Sequence, residues 1–181
     1  MITLTKQEGY SKDFITALNF LYKGKSNDNI KPVFTGVFIE GNKAITTDSR
    51  RLHIIESDFI RDFPGGLYAF EKIKGGYIIM EEIDGVFPDY KHVIPEYKTD
   101  ENGYKLRSII TSPIDGVRVG RVLYHLKHLV NADFVYDTVK GIDSEWSIYE
   151  QEHETLSPVV LETTFNNDII LTSIIMPLKV K

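Results

Sequence analysis

Residues 32–52 read PVFTGVFIEGNKAITTDSRRL. The run 32–40 is rich in β-branched and aromatic residues, the composition of an extended, half-buried segment. Gly41-Asn42 follows as a hairpin turn, and residues 44–47, AITT, return as a second strand. A third strand-like run, LHIIE, occupies 52–56. Consecutive short strands joined by tight turns predict an antiparallel meander in this part of the chain.

Upstream, the spacing predicts a helix over about 12–23. Phe14, Leu18 and Leu21 recur at i, i+4 and i+7 with Ala17 on the same side, giving one apolar stripe. Ser11 is a suitable N-cap, and Asp13 stands in the first turn, where the helix dipole favours an acid. Downstream, further strands are expected at 67–73 and 77–83, separated by a Gly75-Gly76 turn. A second helix is expected after Asp115: Val119, Val122, Leu123, Leu126, Leu129 and Val130 fall on one helical face, with Arg118, Arg121, His125 and His128 on a separate stripe. Strands are then expected at 147–150, 158–164 and 169–176. The polar, turn-forming run PEYKTDENG, 95–103, is the expected internal joint. The order implies an α+β fold in a single domain, 1–181, made of two helix-plus-strands repeats, about 1–97 and 98–181, with helices packed on antiparallel sheets.

The absence of cysteine from all 181 residues excludes disulfides and thiolate metal sites. The first ten residues, MITLTKQEGY, lack the order of a signal peptide, and no apolar run reaches the roughly 18 residues of a membrane span. These features predict a soluble cytoplasmic protein without a membrane partner. A net charge of −5 alone argues against nucleic acid, but the charge is segregated. Residues 117–132 carry three Arg or Lys, two His and no acid, whereas 133–168 carry nine acids and one lysine. One basic surface on an acidic body is the expectation.

No catalytic constellation stands out. The glycine pairs flank strands and lack the lysine of a phosphate loop. His125 and His128 share a predicted helical face, but no third or fourth ligand accompanies them, so a solvated basic face is the preferred reading over a metal site. Glu81, Glu82, Asp84 and Asp89 read as a strand end entering a turn rather than an acid–base pair. The expectation is a protein that is not an enzyme and carries neither cofactor nor metal.

Three stretches in order carry a resemblance. PVFTGVFIEGNKAITTDSRRL resembles the pattern in which a strand near "TGV-L-E" leads to an "ATDG-RL" turn. VFPDYKHVIP, 86–95, is similar to a "FPDY--V-P" link, and SIIMPLKV, 173–180, to a closing "-VMPMRL". LSPVV, 156–160, resembles an "SPV-I" strand. All belong to the bacterial sliding clamp, the beta subunit of DNA polymerase III. The motifs cover about a quarter of the chain, with Ser49 where the family has glycine. The chain looks like one shortened clamp domain, the front half of a middle domain joined to the back half of the last.

The resemblance implies a DNA replication processivity factor. Basic helices would hold duplex DNA without reading sequence, through Lys12, Lys23, Lys25, Arg118, Arg121, His125, Lys127 and His128. It also implies a hydrophobic pocket for short peptides of a DNA polymerase or other clamp-binding proteins, lined by Phe34, Thr47, Arg51, Leu52, Pro88, Val93, Met176, Pro177 and Leu178. A homo-oligomer of about six copies would complete a ring. The alternative is a protein that recruits or competes for replication partners through the same pocket without encircling DNA.

Overall fold

Thirteen residues, Lys12–Gly24, form helix α1, and Ser11 starts it as its position predicts: its hydroxyl accepts from the Phe14 amide at 3.0 Å. The computed structural model describes residues 1–28, 30–98, 104–111, 122–124, 129–151, 156–166 and 168–178. These divide into two compact units, Met1–Pro88 with Thr164–Leu171, and Asp89–Thr163 with Thr172–Lys181. The division falls inside VFPDYKHVIP, ahead of the joint expected at 95–103.

In the first unit, strands β1 (Ile2–Thr5), β2 (Gly36–Glu40), β3 (Lys43–Thr47), β4 (Arg51–Glu56), β5 (Gly66–Ile73) and β6 (Gly76–Glu82) lie in the order β1-β6-β5-β2-β3-β4. Every pairing between these neighbours is antiparallel. The strands read from residues 36–83 all form. Pro32–Phe34 is a 3-10 turn rather than strand, because proline fits the first position of a helical turn and withholds the amide a strand needs. β1 was not anticipated. It pairs with β6 as far as Thr5↔Gly76, where a Cβ on Gly76 would lie 2.1 Å from the Leu4 carbonyl oxygen. Gly76 therefore serves the approach of β1 as well as the turn.

α1 buries Phe14, Ala17, Leu18 and Leu21, the predicted stripe, together with Phe20. Its C-terminal end is bound to the facing pair Thr46 and His53, opposite each other on β3 and β4. The Thr46 hydroxyl donates to the Leu21 carbonyl at 2.7 Å, and His53 Nδ1 lies 2.8 Å from the Phe20 carbonyl. The imidazole also stacks on Phe20, with 4.3 Å between centroids. This approach requires Gly24, since a Cβ there would sit 2.6 Å from both the His53 ring and the Thr46 hydroxyl.

The second unit holds strands β7 (Tyr104–Thr111) and β10 (Glu145–Gln151), β11 (Val159–Phe165) as far as Thr163, and β12 (Ile169–Ile175) from Thr172 onward, in the order β12-β11-β10-β7, with β10 antiparallel to β7 and β11. Strands β8 (Val122–Tyr124) and β9 (Leu129–Asn131) form a separate antiparallel pair. Trp146, Ile148, Val160, Leu161, Ile174 and Ile175 are buried in this unit. Of the other helices, one-turn α2 (Asp58–Arg61) follows β4 and α3 (Ala132–Val139) follows β9. The Thr138 hydroxyl ties α3 to its surroundings, 2.8 Å from the Phe134 carbonyl and 3.0 Å from the Ser173 hydroxyl.

The second predicted helix is corrected here. Residues 122–124 and 129–131 are strands, pairing Leu123 with Val130 and Tyr124 with Leu129, and the helix begins only at Ala132. Apolar residues three and four apart suit one helical face, but two short strands folded back on each other produce the same spacing. Asn131 was the overlooked signal. Its side chain accepts from the Asp133 amide at 2.9 Å, and Asp133 supplies the first-turn acid. Arg118, Arg121, His125, Lys127 and His128, the basic stripe expected on that helix, lie outside the described residues.

His53 is fully buried, and burial, reinforced by the Arg51 charge, holds its pKa down to about 3 from 6.5. The neutral ring must donate from Nδ1 to reach a carbonyl. Above pH 6.5 both folded and unfolded chains leave this ring neutral; below it only the unfolded chain takes up the proton. Stability should therefore fall with acidification, by about 1.4 kcal/mol from this group between about pH 7.5 and about pH 5.5. Urea unfolding of wild type and His53→Gln across that interval measures the difference. Equal losses in the two proteins would refute the assignment to His53.

Candidate functional site

The turn between β3 and β4 is built around Asp48. Its Oδ1 accepts from the Arg50 and Arg51 amides at 2.9 and 3.0 Å, and its Oδ2 accepts from Arg51 Nε at 3.1 Å. The Thr47 hydroxyl donates to the Arg51 carbonyl at 2.7 Å and accepts from the Ser49 amide at 3.1 Å. Ser49 takes the left-handed conformation, φ 73°, which explains why glycine suits this position. Arg51 is thus held by a carboxylate rather than extended into solvent.

The first unit contains five of the nine residues implied for the peptide pocket. Leu52 is 3% exposed and Thr47 is buried opposite it, so both serve the core. Phe34 is half-buried, with the Lys31 ammonium 5.6 Å from its ring centroid. Pro88 is exposed beside buried Phe87, whose ring stacks on Phe38 at 5.0 Å.

The second unit carries the other four. Asp89 caps the 3-10 turn Tyr90–Val93 by accepting from the Lys91 amide at 3.2 Å, and pairs with His92 at 2.9 Å. This turn presents Val93, 42% exposed. Beyond β12 the chain presents Met176, Pro177 and Leu178, with Met176 at 39% and Leu178 at 38% exposure. Val93 and Met176 meet in one cavity of about 450 Å³, where Pro95, Tyr104 and Pro158 add apolar surface and His92, Glu96, Gln151 and Ser157 add polar atoms. The Tyr104 hydroxyl donates to the Pro158 carbonyl at 3.0 Å, and the Ser157 hydroxyl donates to Gln151 Oε1. Tyr104 and Gln151 were not anticipated, and nothing local marks them: they join the cavity because Tyr104 and Gln151 pair across β7 and β10. His92, Pro95, Ser157 and Pro158 stood inside the quoted motifs. The Tyr97 hydroxyl, 2.5 Å from Glu162 and raised in pKa by burial and that carboxylate, remains a donor and pins the segment leaving Pro95. An apolar cavity with a polar rim of this size suits an apolar side chain of an extended peptide.

Of the basic residues on α1, Lys12 is exposed and Lys23 half-buried. Lys25 is 7% exposed, its ammonium 3.4 Å from Glu71 and 4.7 Å from the Tyr22 ring centroid. Its charge is directed inward. Among the described residues there is no group of three or more His, Asp or Glu suited to a metal, and no helix long and apolar enough to cross a membrane.

No protein-family model and no curated protein matches the sequence. Solved structures do. The chain is similar to the DnaN sliding clamp (DNA polymerase III subunit beta) of Bartonella birtlesii bound to griselimycin, with 15% identity and a TM-score of 0.62 over 98% of this chain and 66% of that one. It is similar to the DNA polymerase III beta subunit of Thermotoga maritima, 13% identical with a TM-score of 0.61, over 99% and 65%. The Helicobacter pylori beta clamp bound to a DNA ligase peptide matches with 12% identity and a TM-score of 0.56, over 99% and 65%. This chain therefore spans just under two thirds of the length of the clamps it matches.

Ser49 offers a direct test of the turn. Ser49→Gly relieves the Cβ crowding of the left-handed conformation, partly offset by glycine's larger chain entropy, and should raise stability by about 0.5–1 kcal/mol. Ser49→Val should lower it by more than about 1 kcal/mol, because a β-branched residue tolerates positive φ worst. Chemical unfolding of both variants measures the pair, and an unchanged midpoint for Ser49→Val would contradict the turn geometry.

Proposed function

We propose that this chain, which has the fold of the DNA polymerase III beta sliding clamps, is a non-catalytic clamp-like protein that serves DNA replication by receiving partner peptides. The observation that carries the reading is the cavity joining Val93 and Met176, with half-buried Pro177 and exposed Leu178 on the segment that follows. Apolar side chains left at the surface together mark a docking place, and a flexible methionine wall accommodates varied anchors. Partner peptides supply a short extended segment whose apolar side chain enters the cavity, while His92, Glu96 and the Ser157–Gln151 pair bind its backbone or polar side chains.

The test uses a labelled peptide from a clamp-binding replication protein and fluorescence anisotropy. Replacing Met176 and Leu178 together by alanine removes exposed apolar surface without touching the core, so the chain should stay folded. Peptide affinity should fall at least about tenfold, the loss of roughly 1.4 kcal/mol expected when two apolar anchoring contacts are truncated. An unchanged affinity in the folded variant would overturn the assignment.

The second part of the reading is sequence-independent association with duplex DNA through the acid-free segment 117–132, aided by Lys12 and Lys23. The net charge of −5 and the inward pairing of Lys25 with Glu71 favour the alternative, a peptide-binding clamp-like protein that does not encircle DNA. Replacing Arg118, Arg121 and Lys127 by alanine distinguishes them. If these side chains meet phosphates, duplex affinity should drop and the slope of log affinity against log salt should shrink by roughly 2–3. Wild-type protein with no salt-dependent duplex binding, and a monomeric mass by light scattering, would leave the alternative in place.

A further inference from the structure

The β3–β4 hairpin has a second end. Lys43 pairs with Glu56 there, roughly 15 Å of strand away from the Asp48 turn. A groove of about 850 Å³ opens beside it, lined within the first unit by residues of β1, of α2 and its flanks, of the β2–β3 turn and of the chain around the start of β12. None of the residues used above for peptide or DNA belongs to it.

Its floor is aromatic. Tyr10, Phe59 and Phe63 line it, and the rings of Tyr10 and Phe59 rest on buried Phe14 at 5.5 and 5.4 Å. Phe59 is 49% exposed even though it sits in α2 next to Ile60, which is 2% exposed. Buried Ile60 anchors the turn and holds Phe59 outward. The rim is acidic: Glu56, Asp58, Asp62 and Asp168 line the groove, and among the described residues no lysine or arginine does. Glu56 is paired with Lys43 and Asp58 with Arg61, at 3.5 and 2.6 Å. Asp62 and Asp168 form no ion pair among the described residues, so they bring uncompensated charge to the rim.

We propose that this groove docks a short cationic segment of a partner protein, an apolar anchor flanked by lysine or arginine. Aromatic faces attract guanidinium and ammonium groups and accept their aliphatic stems, while the free carboxylates fix the charged ends. The same carboxylates repel phosphates, so nucleic acid is the wrong occupant. The volume lies within the range of pockets that bury a ligand.

The experiment uses the full chain and fluorescein-labelled hexapeptides, cationic RLRYLK and acidic ELEYLE, read by anisotropy. The cationic probe should bind saturably and more weakly as salt is raised; the acidic probe should not bind. Asp62→Lys with Asp168→Lys should weaken the cationic probe at least about tenfold, and Phe59→Ala should weaken it severalfold. All three side chains are at the surface, so the variants should keep the wild-type unfolding transition. Alanine at Met176 and Leu178 should leave this binding intact, which separates it from the peptide cavity. Equal binding of both probes, or of the cationic probe by the charge-reversed protein, would overturn the proposal. So would concentration-dependent self-association abolished by the charge reversal, which would make a second copy of this chain the occupant.

Discussion

Helix α1 can lie against its sheet only because Gly24 has no side chain. The last turn of the helix comes so close to β3 and β4 that the His53 ring and the Thr46 hydroxyl occupy the space a Cβ would take. In return, the two side chains bind the carbonyls of Phe20 and Leu21 near the end of the helix, and Leu21 is among the last four carbonyls, which have no partner within the helix. A neutral imidazole is the group that fits. It packs flat on Phe20 like an aromatic and still supplies a donor. Loss of that neutrality would put an uncompensated charge in the core, next to Arg51, which is why the seat of α1 and the acid sensitivity of the chain have one cause.

Seating α1 in this way fixes the β3–β4 hairpin from behind, and the hairpin carries chemistry at both ends. At one end Asp48 organises a turn whose backbone is strained at Ser49 and whose arginine is held by the same carboxylate. At the other, acids and aromatics gather around a groove with no base among the described residues that line it. The short strands between them keep the two ends apart, so the proposed docking of a cationic segment does not draw on the atoms of the Asp48–Arg51 turn.

Most of the fold was legible. α1 and the strands from β2 to β6 follow from amphipathic spacing and turn glycines, and β10, β11 and β12 follow from the β-branched runs near the C-terminus. Residues 122–131 were not, because Val122, Leu123, Leu129 and Val130 satisfy a helical period and a folded-back strand pair equally well. β1 was hidden for another reason. ITLT is too short to signal anything, and it becomes a strand only because Gly76 lets β6 approach it. Within the candidate site, Val93 and Met176 came from the motifs, whereas Leu52 and Thr47 belong to the core. A motif marks a position in the chain and says nothing about which face of a strand that position will bury.

The sequence by itself determined the local elements and their caps. It carried Ser11 before α1, the stripe of Phe14, Leu18 and Leu21, the strand–turn–strand rhythm of 32–56, and the motif order by which the chain resembles sliding clamps. These depend on neighbours within a few residues, where propensity and periodicity act. Only the tertiary structure decided that Lys25 turns inward to Glu71, that His53 is neutral, and that Tyr104 and Gln151 join Met176 at one cavity. Each of those outcomes depends on desolvation and pairing between residues far apart in the chain, and burial is set by the packed structure as a whole.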